Sequence, residues 1–227
     1  IGGRIVDDAT MIQERHRPIW AAWWADGRPG AMTTEAFGQA MFDWVEQRAH
    51  SGPELKEKYA EYTRLNAARA RRVIKTYRMS GEMETVLDSG KTEGQHWVVI
   101  TESWCGDAVQ SLPLIQMWAH RAGVSLEIML RDTGVPLIDD FLTRGGRSIP
   151  MWIVAEGSGA VLGQWGPRPE TARKMVLAHR EAPEPKPPYA EFAAQVQLWY
   201  ARDRGREIEQ EARDMLAGLA GEATHSF

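Results

Sequence analysis

Trp97-Val98-Val99-Ile100-Thr101-Glu102-Ser103-Trp104-Cys105-Gly106-Asp107-Ala108 is the stretch that decides the fold. Its first five residues are apolar and β-branched, which predicts a buried strand. A helix is then predicted from Cys105 to Ala122, broken by Gly123. Cys105 therefore falls between a buried strand and a helix N-terminus. Free N–H groups and the helix dipole stabilise a thiolate at such a position, and a lowered pKa makes more nucleophile at neutral pH.

Outward from there, Ser125–Leu130 reads as a second strand and Pro136–Thr143 as a helix ended by Gly145-Gly146. Pro150–Val154 and Val161–Trp165 read as two more strands around the turn Glu156-Gly157-Ser158-Gly159. Glu170–Arg180 reads as a helix. This order predicts an α/β fold with a mixed central sheet, covered by helices on both faces. Upstream, a helix capped by Thr33 or Thr34 runs to about Ala49, a second runs to about Thr76, and Glu82–Leu87 forms a short third. Leu55, Tyr59, Tyr62 and Leu65 mark the apolar stripe of the second, and Arg64, Arg69, Arg71 and Arg72 its solvated face. Downstream, the proline-rich segment 182–188 is a stiff linker to two final helices, with a frayed end.

Four segments follow: 1–31, a leader or tag-like extension; 32–95, an N-terminal helical extension; 96–181, the core; and 189–227, C-terminal helices packed on that core. In the first, Ile19, Trp20, Trp23 and Trp24 fall at helical spacing and form a face that needs a partner.

The chain has 227 residues, 43% apolar and 26% charged, with net charge −4. That balance fits a globular protein and gives no basic field for nucleic acid. No apolar run is long enough for a membrane helix. The single cysteine rules out an intrachain disulfide and fits a reducing cytoplasm. One cysteine with scattered His96, His120 and His179 makes no zinc site, and no metal or cofactor is expected.

A second motif, Gly145-Gly146-Arg147-Ser148-Ile149-Pro150, ends 45 residues beyond Cys105 and precedes a strand. Together with Trp104-Cys105-Gly106 it resembles the thioredoxin active site, in which a cis-proline faces the cysteine. The resemblance implies a thioredoxin fold and a cis Ile149–Pro150 bond. The backbone ahead of that bond would offer strand-like hydrogen bonds to an extended peptide or a thiol tripeptide. Thr101–Gln110, Leu130-Arg131-Asp132, Gly145–Pro150, Trp165-Gly166-Pro167-Arg168-Pro169 and Leu198-Trp199-Tyr200 are further similar to a bacterial thioredoxin family group with flanking helices.

The departure from thioredoxin lies at Ala108, where the second cysteine of Cys-x-x-Cys would stand. Without it no intramolecular thiol can release a mixed disulfide. Asp107 replaces the usual proline. Its charge repels a thiolate yet suits a helix N-terminus, so its net effect on the thiol stays open.

The site candidates are Cys105 as nucleophile, with Trp104, Gly106, Asp107, Arg147, Ile149 and Pro150 as substrate contacts. Against these stand a structural buried thiol for Cys105 and core packing for Trp104. Arg131, Arg147 and Arg168 could hold carboxylates of a small thiol, or pair with Asp107, Asp132 or Glu102. Two functions follow. One is a monothiol thiol–disulfide oxidoreductase with an external thiol as resolver. The other is a non-catalytic binding module for a peptide or low-molecular-weight thiol. Iron–sulfur carriage, which would need a dimer and an added thiol ligand, is a third. The expected partner is a protein or small-molecule thiol or disulfide, with no nucleic acid and no membrane, and a homodimer stays open.

Overall fold

A computed structural model describes residues 16–54 and 56–219. The leader assignment for residues 1–15, the place of Leu55 in a helical stripe and the frayed end beyond residue 219 lie outside the described residues.

The decisive strand is β2 (Gln95–Thr101), and five of its seven residues are buried. It pairs in parallel with β3 (Ser125–Leu130), placing Val99 opposite Ile128, and antiparallel with β4 (Met151–Glu156), placing Val99 opposite Trp152. β5 (Val161–Trp165) continues the sheet beyond β4. β1 (Met32–Thr33), too short to show a period in sequence, pairs antiparallel with β3. The strand order is β1-β3-β2-β4-β5, so the central strand β2 delivers the cysteine loop at its C-terminal end.

Alternation along the strands divides the core in two. Trp97, Val99, Ile128, Trp152 and Val154 face one side, with α4 (Gly81–Asp88), α5 (Ala108–Ala122) and α8 (Arg206–Leu219). Val98, Ile100, Met129, Met151, Ile153 and Ala155 face the other. There they meet α1 (Pro18–Ala25) and a 3-10 turn, Leu137–Phe141, which takes the place of the helix predicted over Pro136–Thr143. Part of the segment read as a leader thus covers one face of the central sheet. Trp20 and Trp23 are buried there. The Trp20 indole N–H donates to the Gly159 carbonyl at 2.8 Å. A Cβ at Gly159, whose φ is +92°, would meet the Trp24 ring at 2.5 Å, so a side chain there strains the backbone and must displace that ring.

Two further helices lie between α1 and α4, ahead of β2. α2 (Thr34–Glu46) is capped by the Thr33 hydroxyl, which accepts from the Ala36 N–H. α3 (Glu57–Thr76) buries Thr63, Asn66 and Val73, a face offset from the stripe expected through Tyr59 and Tyr62. After β5 come α6 (Glu170–Glu181), α7 (Tyr189–Asp203) and α8. Glu211 and Glu207 of α8 accept from the Glu170 and Thr171 N–H groups, satisfying free donors at the start of α6.

Candidate functional site

Residues 101–107 are clamped from below by a buried polar network. The Glu102 carboxylate accepts from the Ser51 hydroxyl and, at 2.8 Å, from the Asp132 N–H. Burial raises the Glu102 pKa, and those two hydrogen bonds oppose the rise. The Ser51 hydroxyl in turn accepts from the Ser103 N–H at 2.7 Å. From α3, Thr63 meets the Ser103 hydroxyl at 2.8 Å. The Asn66 amide donates to the carbonyls of Ser103 at 2.9 Å and Cys105 at 3.1 Å. α3 and the turn at Ser51 ahead of it therefore hold the cysteine loop directly.

Cys105 precedes α5, which begins at Ala108 with Asp107 as N-cap, so the helix starts later than predicted. The sulfur lies 3.4 Å from the Ala108 N–H and 3.4 Å from the Ile149 carbonyl oxygen. The Ile149–Pro150 peptide is cis. The two sequence motifs meet at this contact. The thiol donates to a carbonyl, which favours its protonated form, and accepts one backbone N–H, which favours the thiolate. Burial decides between them. With Asp107 adding repulsion, it pushes the Cys105 thiol up to about 12, against opposition from the Ala108 and Asp107 N–H groups and Arg168. The helix N-terminus alone does not produce an activated thiolate here.

The remaining candidates fall into two groups. Trp104, Gly106, Asp107 and Ile149 gather around the thiol in a cavity of about 390 Å³ between α3, α7 and the loop. Trp104 stacks on Tyr59 at 4.3 Å, and the Arg131 guanidinium lies 5.0 Å from the Trp104 ring centroid. The Gly106 carbonyl accepts from Gln197 at 2.9 Å, and a Cβ on Gly106 would come within 3.1 Å of that amide. Asp107 is held by the Arg168 guanidinium and, at 2.9 Å, by the Tyr200 hydroxyl. Burial, then the Asp107 charge, pushes Tyr200 well above its ordinary range, so it remains a neutral donor. Pro150 is buried beside Ile149. Arg147 lies apart from this group: it is exposed and pairs with Asp139. Arg131 likewise pairs with Asp132.

A second cavity, of about 490 Å³, opens on the other side of Cys105 between α2, α3 and α5. Phe37, Met41, Ala70 and Leu112 line it. Sequence reasoning missed Asn66, Arg69, Tyr189 and Gln197 as residues of the site. The available signal was on α3, where Thr63, Asn66, Ala70 and Val73 recur at helical spacing. Reading only apolar residues for periodicity hid it. Among the described residues no group of three or more His, Cys, Asp or Glu is gathered as for a metal ion, and no helix is long and apolar enough to cross a membrane.

A mixed sheet whose central strand ends in a cysteine loop, facing a proline that opens the next strand, defines a thioredoxin-like protein. The family model described as Thioredoxin (Thioredoxin_9) matches residues 52–185. The chain belongs to that family. Among solved structures, the crystal structure of an HIV epitope-scaffold is similar over 82% of this chain and 99% of its own, at 14% identity and a TM-score of 0.47. No curated protein matches the chain.

Proposed function

We propose that this protein is a thioredoxin-fold binding module, which holds a peptide or a low-molecular-weight thiol beside Cys105 without redox turnover. The observation that carries this reading is the resting thiol. It is buried, donates to the Ile149 carbonyl and is pushed up to about 12, whereas attack on a disulfide needs a thiolate. Cys105 then acts as a weak hydrogen-bond donor in the wall of a cavity. Ala108, in the position of a resolving cysteine, fits a site with no dithiol cycle. Glutathione-dependent reduction of a small mixed disulfide tests the reading. Turnover should stay at background for the wild type and equally for Cys105→Ser. Turnover above background that Cys105→Ser abolishes would overturn it.

The closeness of Cys105 to the Ile149–Pro150 edge supports the second reading, a monothiol thiol–disulfide oxidoreductase. In that reaction the Cys105 thiolate displaces one thiol from a mixed disulfide and is left bonded to the other half. An external thiol then attacks that bond, restoring Cys105 and leaving as part of a new disulfide. The same assay decides between the two, since only this reading expects turnover.

A further inference from the structure

We infer that Arg69 is an anion-binding group of the cavity beside Cys105, and that the ligand it takes is a small organic carboxylate with an aromatic or aliphatic body. This deepens the binding-module reading and rests on it.

Other arginines near the loop have a carboxylate: Arg131 has Asp132, Arg147 has Asp139 and Arg168 has Asp107. Arg69 does not. Its guanidinium donates from Nη1 to the Asn66 side-chain oxygen at 2.9 Å, and no carboxylate of the described residues pairs with it. Its neighbour Arg72 is in the same position, donating to the amide oxygen of Gln110 at 2.8 Å. Asn66 is itself fixed, because its amide nitrogen holds the loop carbonyls, so Arg69 is positioned against the loop.

Arg69 is half-buried in the wall of the cavity. Burial, and then the charge of Arg72, pull its pKa below the ordinary arginine range. A partly desolvated cation without a counter-charge is costly, and an incoming anion offsets that cost. The cavity's other charges agree in sign. Lys58 and Arg168 also line it, and its one carboxylate, Asp107, is already held by Arg168 and Tyr200.

The rest of the wall specifies the ligand body. Tyr62, Trp104, Tyr189 and Phe192 line the same space, with Cys105 and Ile149 at the loop side. Aromatic walls around one unpaired guanidinium suit an apolar group carrying one carboxylate, which a guanidinium fork binds through two parallel hydrogen bonds. A volume of about 390 Å³ is at the small-molecule end of binding cavities, roughly 300–1,000 Å³.

Calorimetric titration with 4-phenylbutyrate and with its uncharged amide, 4-phenylbutanamide, tests the inference on the full chain. The acid should bind about tenfold or more tighter than the amide, since hydrogen bonds to a charged group are about twice as strong as neutral ones. Arg69→Gln should bring the acid down to the amide's affinity. Ala193→Trp, which fills this cavity, should remove binding of both, and Ala70→Trp, which fills the cavity on the other side of Cys105, should leave it. Equal affinity for acid and amide, an acid affinity unmoved by Arg69→Gln, or no binding of either probe would overturn the inference. The binding-module reading fails separately, by Cys105-dependent turnover.

Discussion

Alkylation of Cys105 by iodoacetamide, followed against pH, puts the resting state of the thiol to the test. The thiol is moved from an ordinary value of 9.0 up to about 12. A rise of that size leaves about a thousandfold less thiolate at neutral pH than an unperturbed thiol has. Burial also restricts access of the reagent, so the rate at pH 7 should be at least about a hundredfold below that of free cysteine. It should climb about tenfold per pH unit through pH 10 without a plateau, in step with the thiolate fraction. The same raised pKa has a stability consequence whose sign is fixed. An acid with a raised folded-state pKa contributes stability that is fully present below its unfolded pKa and is lost as pH rises through the folded value. Wild type should therefore lose stability relative to Cys105→Ala as pH rises from about 9 toward 12. Removing the repelling charge with Asp107→Asn should speed alkylation, because Arg168 then faces the sulfur without its carboxylate. A plateau in the rate centred below pH 8, or a rate at pH 7 equal to that of free cysteine, would refute this reasoning and favour the oxidoreductase reading.

Trp20→Ala should cost about 3–5 kcal/mol in urea unfolding, the usual range for deleting a buried tryptophan, because Trp20 is 2% exposed and packs edge-on against Phe141. A loss below about 1 kcal/mol would mean that α1 does not hold the sheet face it covers. Gly166→Ala should lower the melting temperature markedly, because φ is +133° and a Cβ would run into the Pro150 carbonyl oxygen. An unchanged melting curve would contradict that packing. Tyr200→Phe should cost about 1.5–3 kcal/mol, as for a hydrogen bond to a charged group, and should increase hydrogen exchange in α7, where the lost hydroxyl ties that helix to Asp107. Unaltered stability and exchange would show that Arg168 alone secures the carboxylate.

The core strands were legible in sequence because each rests on a local signal, whereas the meeting of Cys105 with Ile149–Pro150 was implied by the resemblance of two local motifs to the thioredoxin active site. A β-branched run, a break at glycine and a proline ahead of a strand are all properties of a few consecutive residues. What was not legible depends on contacts across the chain. β1 has two residues and exists only because β3 offers an edge. The helical spacing of Trp20 and Trp23 marks a face in need of a partner, but that the partner is the uncovered side of this sheet is encoded by no local pattern in residues 16–31. The thiol's state was misleading for the same reason. Its place near a helix N-terminus is local and lowers a pKa, whereas its burial under flanking helices is tertiary and raises it by more.

The flanking helices thus bear on chemistry as well as on stability. α3 supplies Asn66, which binds the loop carbonyls, and α7 supplies Gln197, which binds the Gly106 carbonyl. Arg72, Gln110 and Gln197 form a hydrogen-bonded chain joining α3, α5 and α7 around that loop, with steps of 2.8 and 2.7 Å. An open thioredoxin-like edge would leave the thiol to solvent and to the helix dipole. Here two helices from either end of the chain close over it, remove its water and leave two cavities against it. Enclosure suppresses the thiolate and, by the same packing, creates walls for a ligand. Weakening the enclosure should therefore move both properties in opposite directions: Gln197→Ala, which frees the Gly106 carbonyl and unties α7, should speed Cys105 alkylation while weakening 4-phenylbutyrate binding. If alkylation and binding moved together, or neither moved, the helices would not be what couples them.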